Sequence, residues 1–317
     1  MKNIDRRDIH IFARNSSLSQ KATQQSLEQE VFQHKQNWDD FFRFALLILG
    51  LGFLCLGIIF FFAYNWQDLH KFVKMGIIQG LLLVAVSLIL FLKTSETIKN
   101  IILTATAMLV GVLFAVFGQV YQTGANAYDF FLAWTIYIAI WTIISKFPPL
   151  WILFLALINT TFLLYYKQVA SDWSWIFAFS ILTILNSIPC MIAVIWNLQN
   201  RNRQIPEYFI QIMAFATIVY ATLSMFNVIF DDYPAATPLI SILLIYLFSL
   251  GIIYGLKYRK IFFLTSISLS LMIIISAFLL HYSDSEEMIF AIGLFNIIAV
   301  TVLVRSFISL QKKFNHE

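Results

Sequence analysis

The sequence predicts an all-α, polytopic α-helical integral membrane protein with about ten transmembrane helices. Of the 317 residues, 60% are hydrophobic and 12% are charged, about half the roughly 25% usual in soluble domains. A soluble domain of this length could not bury so much apolar surface, so much of the chain must face lipid. The apolar runs are continuous and lack the alternation of barrel strands, which favours helices.

Each predicted span is an apolar run long enough to cross the hydrocarbon core, which takes about 20 helical residues. The ten runs lie approximately at residues 42–64, 72–92, 99–120, 128–145, 148–166, 174–197, 208–230, 237–256, 260–280 and 288–310. Polar separators such as NWQDLHK, KTSETIKN and NRNRQIPE divide most of them. Only SKFPPL separates the fourth span from the fifth, where Pro148 and Pro149 lack an N–H donor and predict a tight break.

The basic residues predict the orientation of these spans. With a cytoplasmic N-terminus, 18 of the 21 lysines and arginines lie on the cytoplasmic side, and only Lys71, Lys74 and Lys167 lie outside. The positive-inside rule therefore predicts an even number of spans and two cytoplasmic termini. We expect a polar, helix-forming cytoplasmic arm at residues 1–41, a transmembrane domain at 42–310 and a cytoplasmic tail at 311–317.

The polar groups inside the spans are amides, not the ionisable residues that mark proton and ion pathways. They are Gln79, Asn159, Asn186, Asn227 and Asn296. Amides in membranes most often hydrogen-bond between helices, and lining a transport path is the alternative. No phosphate-loop, GxSxG, HExxH or CxxC pattern occurs, and the five histidines are too dispersed for metal ligands. We therefore predict no catalytic residue, cofactor or metal, and a net charge of +4 does not suggest nucleic acid.

Two polar clusters follow spans that run outward. FFAYNWQDLHKFVKMG at residues 61–76 leaves the first span, and FGQVYQTGANAYDFFLAW at residues 117–134 leaves the third. Lipid would reject their polar side chains, so we predict that both clusters pack together on the external face as one ligand-binding site. The candidate residues are Asn65, Trp66, Lys74, Gln119, Tyr121, Gln122, Gly124, Asp129 and Trp134.

Each type of residue in this site has a distinct expected role. Gly124 suits a tight turn, the amides supply hydrogen bonds, and Lys74 could attract an anionic group. The aromatic side chains could stack on a ring or anchor at the lipid headgroups. A simpler interpretation stays open, in which each cluster only caps its own helix and the two do not touch.

The same clusters resemble the predicted bacterial membrane proteins of domain-of-unknown-function family 2157. The matching features are an NW pair ending span one, a Lys-x-Gly opening span two and a GQxYQxGA…W signature. They fall at Asn65, Trp66, Lys74, Gly76, Gly118, Gln119, Tyr121, Gln122, Gly124, Ala125 and Trp134. Relatives often continue with an acid and a proline after the Gly-Ala pair, whereas this chain has Asn126 and Ala127, and then Tyr128 and Asp129.

This resemblance implies a multi-pass protein of the bacterial inner membrane without an established activity. Its relatives are often encoded beside another multi-span protein of the GDYXXLXY type, which suggests a partner. From the residues we favour a non-enzymatic subunit that binds a partner or an envelope ligand on its external face. The alternatives are a small-molecule transporter or flippase, and an envelope-modifying enzyme with external carboxylates such as Asp129, Asp231 or Asp232 as bases.

Overall fold

The computed structural model describes residues 35–64, 70–121, 124, 126–200, 204–231, 235, 237–282 and 286–316. These residues form ten helices and no strand, and all ten helices are long and apolar enough to cross a membrane. The helices are α1 (Lys35–Tyr64), α2 (Lys71–Phe91), α3 (Glu96–Tyr121), α4 (Ala127–Ser145), α5 (Pro148–Gln168), α6 (Trp175–Gln199), α7 (Glu207–Phe230), α8 (Thr237–Lys257), α9 (Ile261–His281) and α10 (Glu286–His316). The predicted fold class is confirmed.

Each predicted span falls on one of these helices, with its ends displaced by only a few residues in most cases. The predicted break between spans four and five is also present. Lys146 adopts a left-handed conformation with φ 50°, and Pro148 begins α5. Proline is tolerated at this position because the first N–H groups of a helix have no hydrogen-bond partner within it.

At both ends of the chain the helices extend beyond the predicted apolar runs. α1 begins at Lys35, within the arm predicted to be helix-forming at residues 1–41, and residues 1–34 lie outside the described residues. α10 continues to His316, so residues 311–316 of the predicted tail are helical. The segment QKKFNH contains no Gly or Pro that would stop a helix, which explains the extension.

The chain divides into two compact units, Met1–Phe117 and Gly118–Glu317. In the first unit, α1 and α2 bury few residues, whereas α3 has one buried face that includes Ile102, Thr106 and Val110. These positions recur every four residues, the spacing that places side chains on one side of a helix.

In the second unit, α6 and α7 form the most extensive helix pair, and α9 packs against α7. α4 pairs with α5, and α9 also contacts α8 and α10. The main buried cluster joins α5, α6, α7 and α9 through Leu155, Ala193, Phe209, Met213 and Phe263. Short connections between successive apolar helices favour such antiparallel neighbours.

The outer surfaces of the helices are apolar. Ile144 and Leu239 expose more than two thirds of their surface, and the 18-residue apolar window of α10 has no buried residue. In water such surfaces would be unfavourable, but lipid tails solvate them at little cost. The arrangement is that of helices in contact with a bilayer.

One polar contact crosses between α5 and α6 inside this apolar packing. The Asn186 side-chain nitrogen donates to Asn159 Oδ1 at 2.7 Å, and Asn159 Nδ2 donates to Asn186 Oδ1 at 3.2 Å. Each amide nitrogen also donates to the carbonyl four residues earlier, at Leu155 and Leu182. The interhelical role expected for these two amides is therefore present.

Candidate functional site

One end of the second unit is formed by the start of α4, the end of α5 and the start of α6. The backbone N–H of Tyr128 donates to the side-chain oxygen of Gln168 at 3.1 Å, which ties α4 to α5. The Tyr128 ring lies 5.4 Å from that of Tyr165, and Tyr165 lies 6.1 Å from Trp173. Trp173 contacts Phe177 at 5.1 Å between ring centroids. We call the surface of Tyr128, Tyr165, Trp173 and Phe177 the aromatic end.

The rings of the aromatic end contact neighbouring rings and are also partly exposed. Trp173 is 38% exposed and Phe177 is 50% exposed, although both contact neighbouring rings edge-on. Edge-to-face pairs with centroids about 4.5–7 Å apart are favourable and restrict ring movement. The surface is therefore preorganised, and a partner would not have to order it.

The residues before α4 make a tight local cap. Gly124 has φ +65°, a left-handed conformation that glycine adopts without strain and that suits the predicted turn. The Asp129 carboxylate accepts a hydrogen bond from the Asn126 backbone N–H at 3.0 Å. A carboxylate in the first turn also interacts favourably with the helix dipole. Asp129 thus stabilises the start of α4, as the simpler capping interpretation expects.

The other candidate site residues have varied surroundings. Tyr121 in the last turn of α3 is 48% exposed, and Gln119 is also exposed. Trp134 packs against Phe130 and Phe131 of its own helix, with ring centroids 6.0 and 6.1 Å away.

Lys74 and the remaining candidate residues do not yet define a shared site. It lies in the first turn of α2 and is only 7% exposed. Asn65, Trp66 and Gln122 lie outside the described residues. A shared site formed by both polar clusters therefore stays a prediction.

Sequence reasoning missed the residues of α5 and α6 that complete the aromatic end. Gln168 and Tyr165 lie about 40 residues from Tyr128, so only the pairing of α4 with α5 brings them together. A usable signal was present in SDWSW at residues 171–175, because its two tryptophans lie on the same predicted side of the membrane as the polar clusters.

The described residues contain no group of three or more His, Cys, Asp or Glu side chains that could hold a metal ion. In the same part of the chain, every buried side-chain nitrogen or oxygen has a hydrogen-bond partner. Inside the spans, Ser180 contacts Ser224 at 2.9 Å, and Ser276 donates to Asn296 Oδ1 at 3.1 Å. These polar groups link helices to one another.

Fold and packing define a polytopic helical membrane protein. The family model described as "Predicted membrane protein (DUF2157)" matches residues 11–151, which include both polar clusters and the helices α1 to α4. The resemblance found in the signature is confirmed over these residues. Neither the curated proteins nor the solved structures contain a match to this chain.

Proposed function

We propose that this chain is a non-enzymatic subunit of a membrane complex, and that its external face binds a partner protein or an envelope ligand. The observation that carries the proposal is the aromatic end, where fixed and partly exposed rings surround hydrogen-bonded helix termini. Tyr and Trp are enriched at protein interfaces because they bury much surface while losing little conformational freedom. The basic-residue distribution supports an external location for this end.

The polar groups inside the membrane support a structural role over a transport path. Asn159 and Asn186 hydrogen-bond each other, and both side chains are buried among the helices. Asn227 donates to the Leu223 carbonyl of its own helix. A transporter would need polar groups available to a passing solute, whereas these amides are engaged within the protein.

The family resemblance suggests a partner for this subunit, namely a multi-span membrane protein of the GDYXXLXY type. α1 and α10 offer long apolar faces for such a partner, since their apolar windows are 6% and 0% buried. Lipid covers these faces when no partner is bound. Specificity would then come from the aromatic end, where polar and aromatic groups combine.

Affinity purification in mild detergent tests the proposal. We expect a stoichiometric partner to copurify with the full chain. Trp173→Ala should weaken that association about thirtyfold, the effect of losing a tryptophan hot spot of roughly 2 kcal/mol. Trp196→Ala is the matched control, because Trp196 is 46% exposed near the other end of α6. A chain that purifies alone and moves a solute across liposomes would contradict the proposal.

A second experiment tests whether both polar clusters contribute to the external site. Cysteines replace Asn65 and Gln122 in a variant that lacks Cys55 and Cys190. Efficient linkage by a short crosslinker is the expected result. If each cysteine reacts with an external thiol reagent but the pair never crosslinks, the clusters are separate helix caps.

A further inference from the structure

Two adjoining cavities lie at the end of the second unit opposite the aromatic end. The first, of about 360 Å³, is bounded by apolar residues of α6 to α9, including Met191, Val194 and Ile267. The second, of about 790 Å³, has a mixed lining in which Asn197, Gln204 and Glu207 supply polar groups that the first cavity lacks. Tyr254, Tyr258 and Phe263 line both cavities. An apolar chamber inside the membrane thus adjoins a polar chamber at its edge.

The walls of the polar chamber are held by direct hydrogen bonds. Asn197 Nδ2 donates to the Ile205 carbonyl at 2.8 Å, and the Ile205 N–H donates to Asn197 Oδ1 at 2.7 Å. Lys260 Nζ donates to the Glu207 carboxylate at 2.6 Å, and this ion pair joins the start of α9 to the start of α7. These bonds fix the loop before α7 and the start of α9 around the chamber.

The turn between α8 and α9 gives the rim of these cavities a positive charge. Its sequence KYRK brings Lys257, Arg259 and Lys260 together, and among the described residues that line the two cavities Glu207 supplies the one carboxylate. Glu207 pairs with Lys260, and Arg259 donates to the Phe314 carbonyl at 3.1 Å. Lys257 lies 5.6 Å from the Tyr258 ring centroid and has no carboxylate partner among the residues described. The rim of the cavities therefore carries the positive charge of Lys257.

The backbone of this turn is unusually constrained. Arg259 has φ 58°, and the Lys260 N–H donates to the Gly255 carbonyl at 2.8 Å, as in a Schellman cap. A Cβ at Gly255 would lie 2.9 Å from Leu264, so glycine permits the close approach of α8 and α9. A left-handed arginine is strained, and such strain concentrates where a protein holds a functional group in place.

We propose that these cavities bind an anionic phospholipid, with one acyl chain in the apolar chamber and the phosphate beside Lys257 and Tyr258. The apolar chamber lies within the membrane-spanning segments, where lipid is the abundant occupant. Both chambers have the volume of ligand pockets, about 300–1,000 Å³. Basic pockets between transmembrane helices at the cytoplasmic edge are typical sites for anionic headgroups. The proposal does not depend on the function proposed for the aromatic end.

Photocrosslinking of the full chain in phosphatidylcholine nanodiscs tests this site. The probe is a phosphatidylglycerol with a diazirine in the middle of one acyl chain, and its phosphatidylcholine counterpart is the reference. The anionic probe should label residues 187–195 and 247–258 about fivefold more than the neutral one. Equal labelling by both probes, or labelling spread over α1 and α10, would overturn the proposal. Either result would show only the lipid that surrounds the whole protein without a specific site.

Two pairs of variants sharpen the test. Lys257→Gln should reduce labelling by the anionic probe to the neutral level, whereas Lys313→Gln should not, since Lys313 is exposed at the same end and lines neither cavity. Met191→Trp should fill the apolar chamber and remove the label there. Met272→Trp is its control on α9, outside both linings. Unchanged labelling in Lys257→Gln contradicts the headgroup position even if Met191→Trp fails to fold.

Discussion

The amide pair between α5 and α6 allows a quantitative prediction, because both of its members are almost fully buried. Asn186 is 1% exposed and Asn159 is 9% exposed, and two hydrogen bonds join their side chains. Asn186→Ala leaves the Asn159 oxygen without its donor. Asn159→Ala has the corresponding effect on Asn186. Leaving a buried polar group unpaired costs about 1–3 kcal/mol, so each single variant should lose roughly that amount of stability.

The double variant Asn159→Ala/Asn186→Ala isolates the interaction itself. An interhelical hydrogen bond in a membrane contributes about 0.6 kcal/mol on average, so two of them predict a coupling energy of about 1 kcal/mol. The double variant should therefore be less destabilised than the sum of the single variants by that amount. The measurement is reversible unfolding in mixed micelles at increasing SDS fraction.

A matched control distinguishes the effect of breaking the Asn159–Asn186 pair from the effect of removing any single amide within a span. Asn227 hydrogen-bonds only within α7 in the described residues, to Leu223, so Asn227→Ala should change stability by less than about 0.5 kcal/mol. A coupling energy near zero between Asn159 and Asn186 would refute the argument that the pair joins α5 to α6. In that case apolar packing alone would hold these helices together.

Three further predictions concern topology and the start of α4. Reporter fusions at Asn126 and Arg201 should report opposite sides of the membrane, and two reports from the same side would refute the predicted topology. Gly124→Ala should destabilise the protein by about 1 kcal/mol because of its positive φ, whereas Gly118→Ala, in an unobstructed helical position, should be neutral or stabilising in the same unfolding measurement. Asp129→Ala should lose about 1 kcal/mol through its cap, and an unchanged midpoint would show that the cap contributes nothing.

The spans could be predicted from the sequence because their signal is local. The length of an uninterrupted apolar run predicts the length of the span, and Pro148 predicts the break between two helices. The apolar runs do not mark the start of α1 or the end of α10. Their polar residues extend a helix beyond the apolar run, so hydropathy no longer marks where the helix ends.

The candidate site was only partly predictable, and the reason is again the range of the contacts. The turn at Gly124 depends on its own backbone, and the cap of Asp129 reaches only three residues. The bond between Tyr128 and Gln168 and the ring contact with Tyr165 require the pairing of two helices. In the sequence, KYRK indicated only orientation, because the adjoining cavities exist only when α6 to α9 are packed.

The absence of buried residues in the apolar window of α10 has a consequence for sequence drift. A residue in a packed core is restricted by the shape of its neighbours, but a residue surrounded by lipid needs only to be apolar. Leucine, isoleucine, valine and phenylalanine should therefore replace one another freely at the lipid-facing positions of Met288–Phe314, but not where α10 contacts α9 or at Asn296 and Phe314. Among descendants of this gene, α10 should diverge in residue identity while it keeps its length and hydropathy.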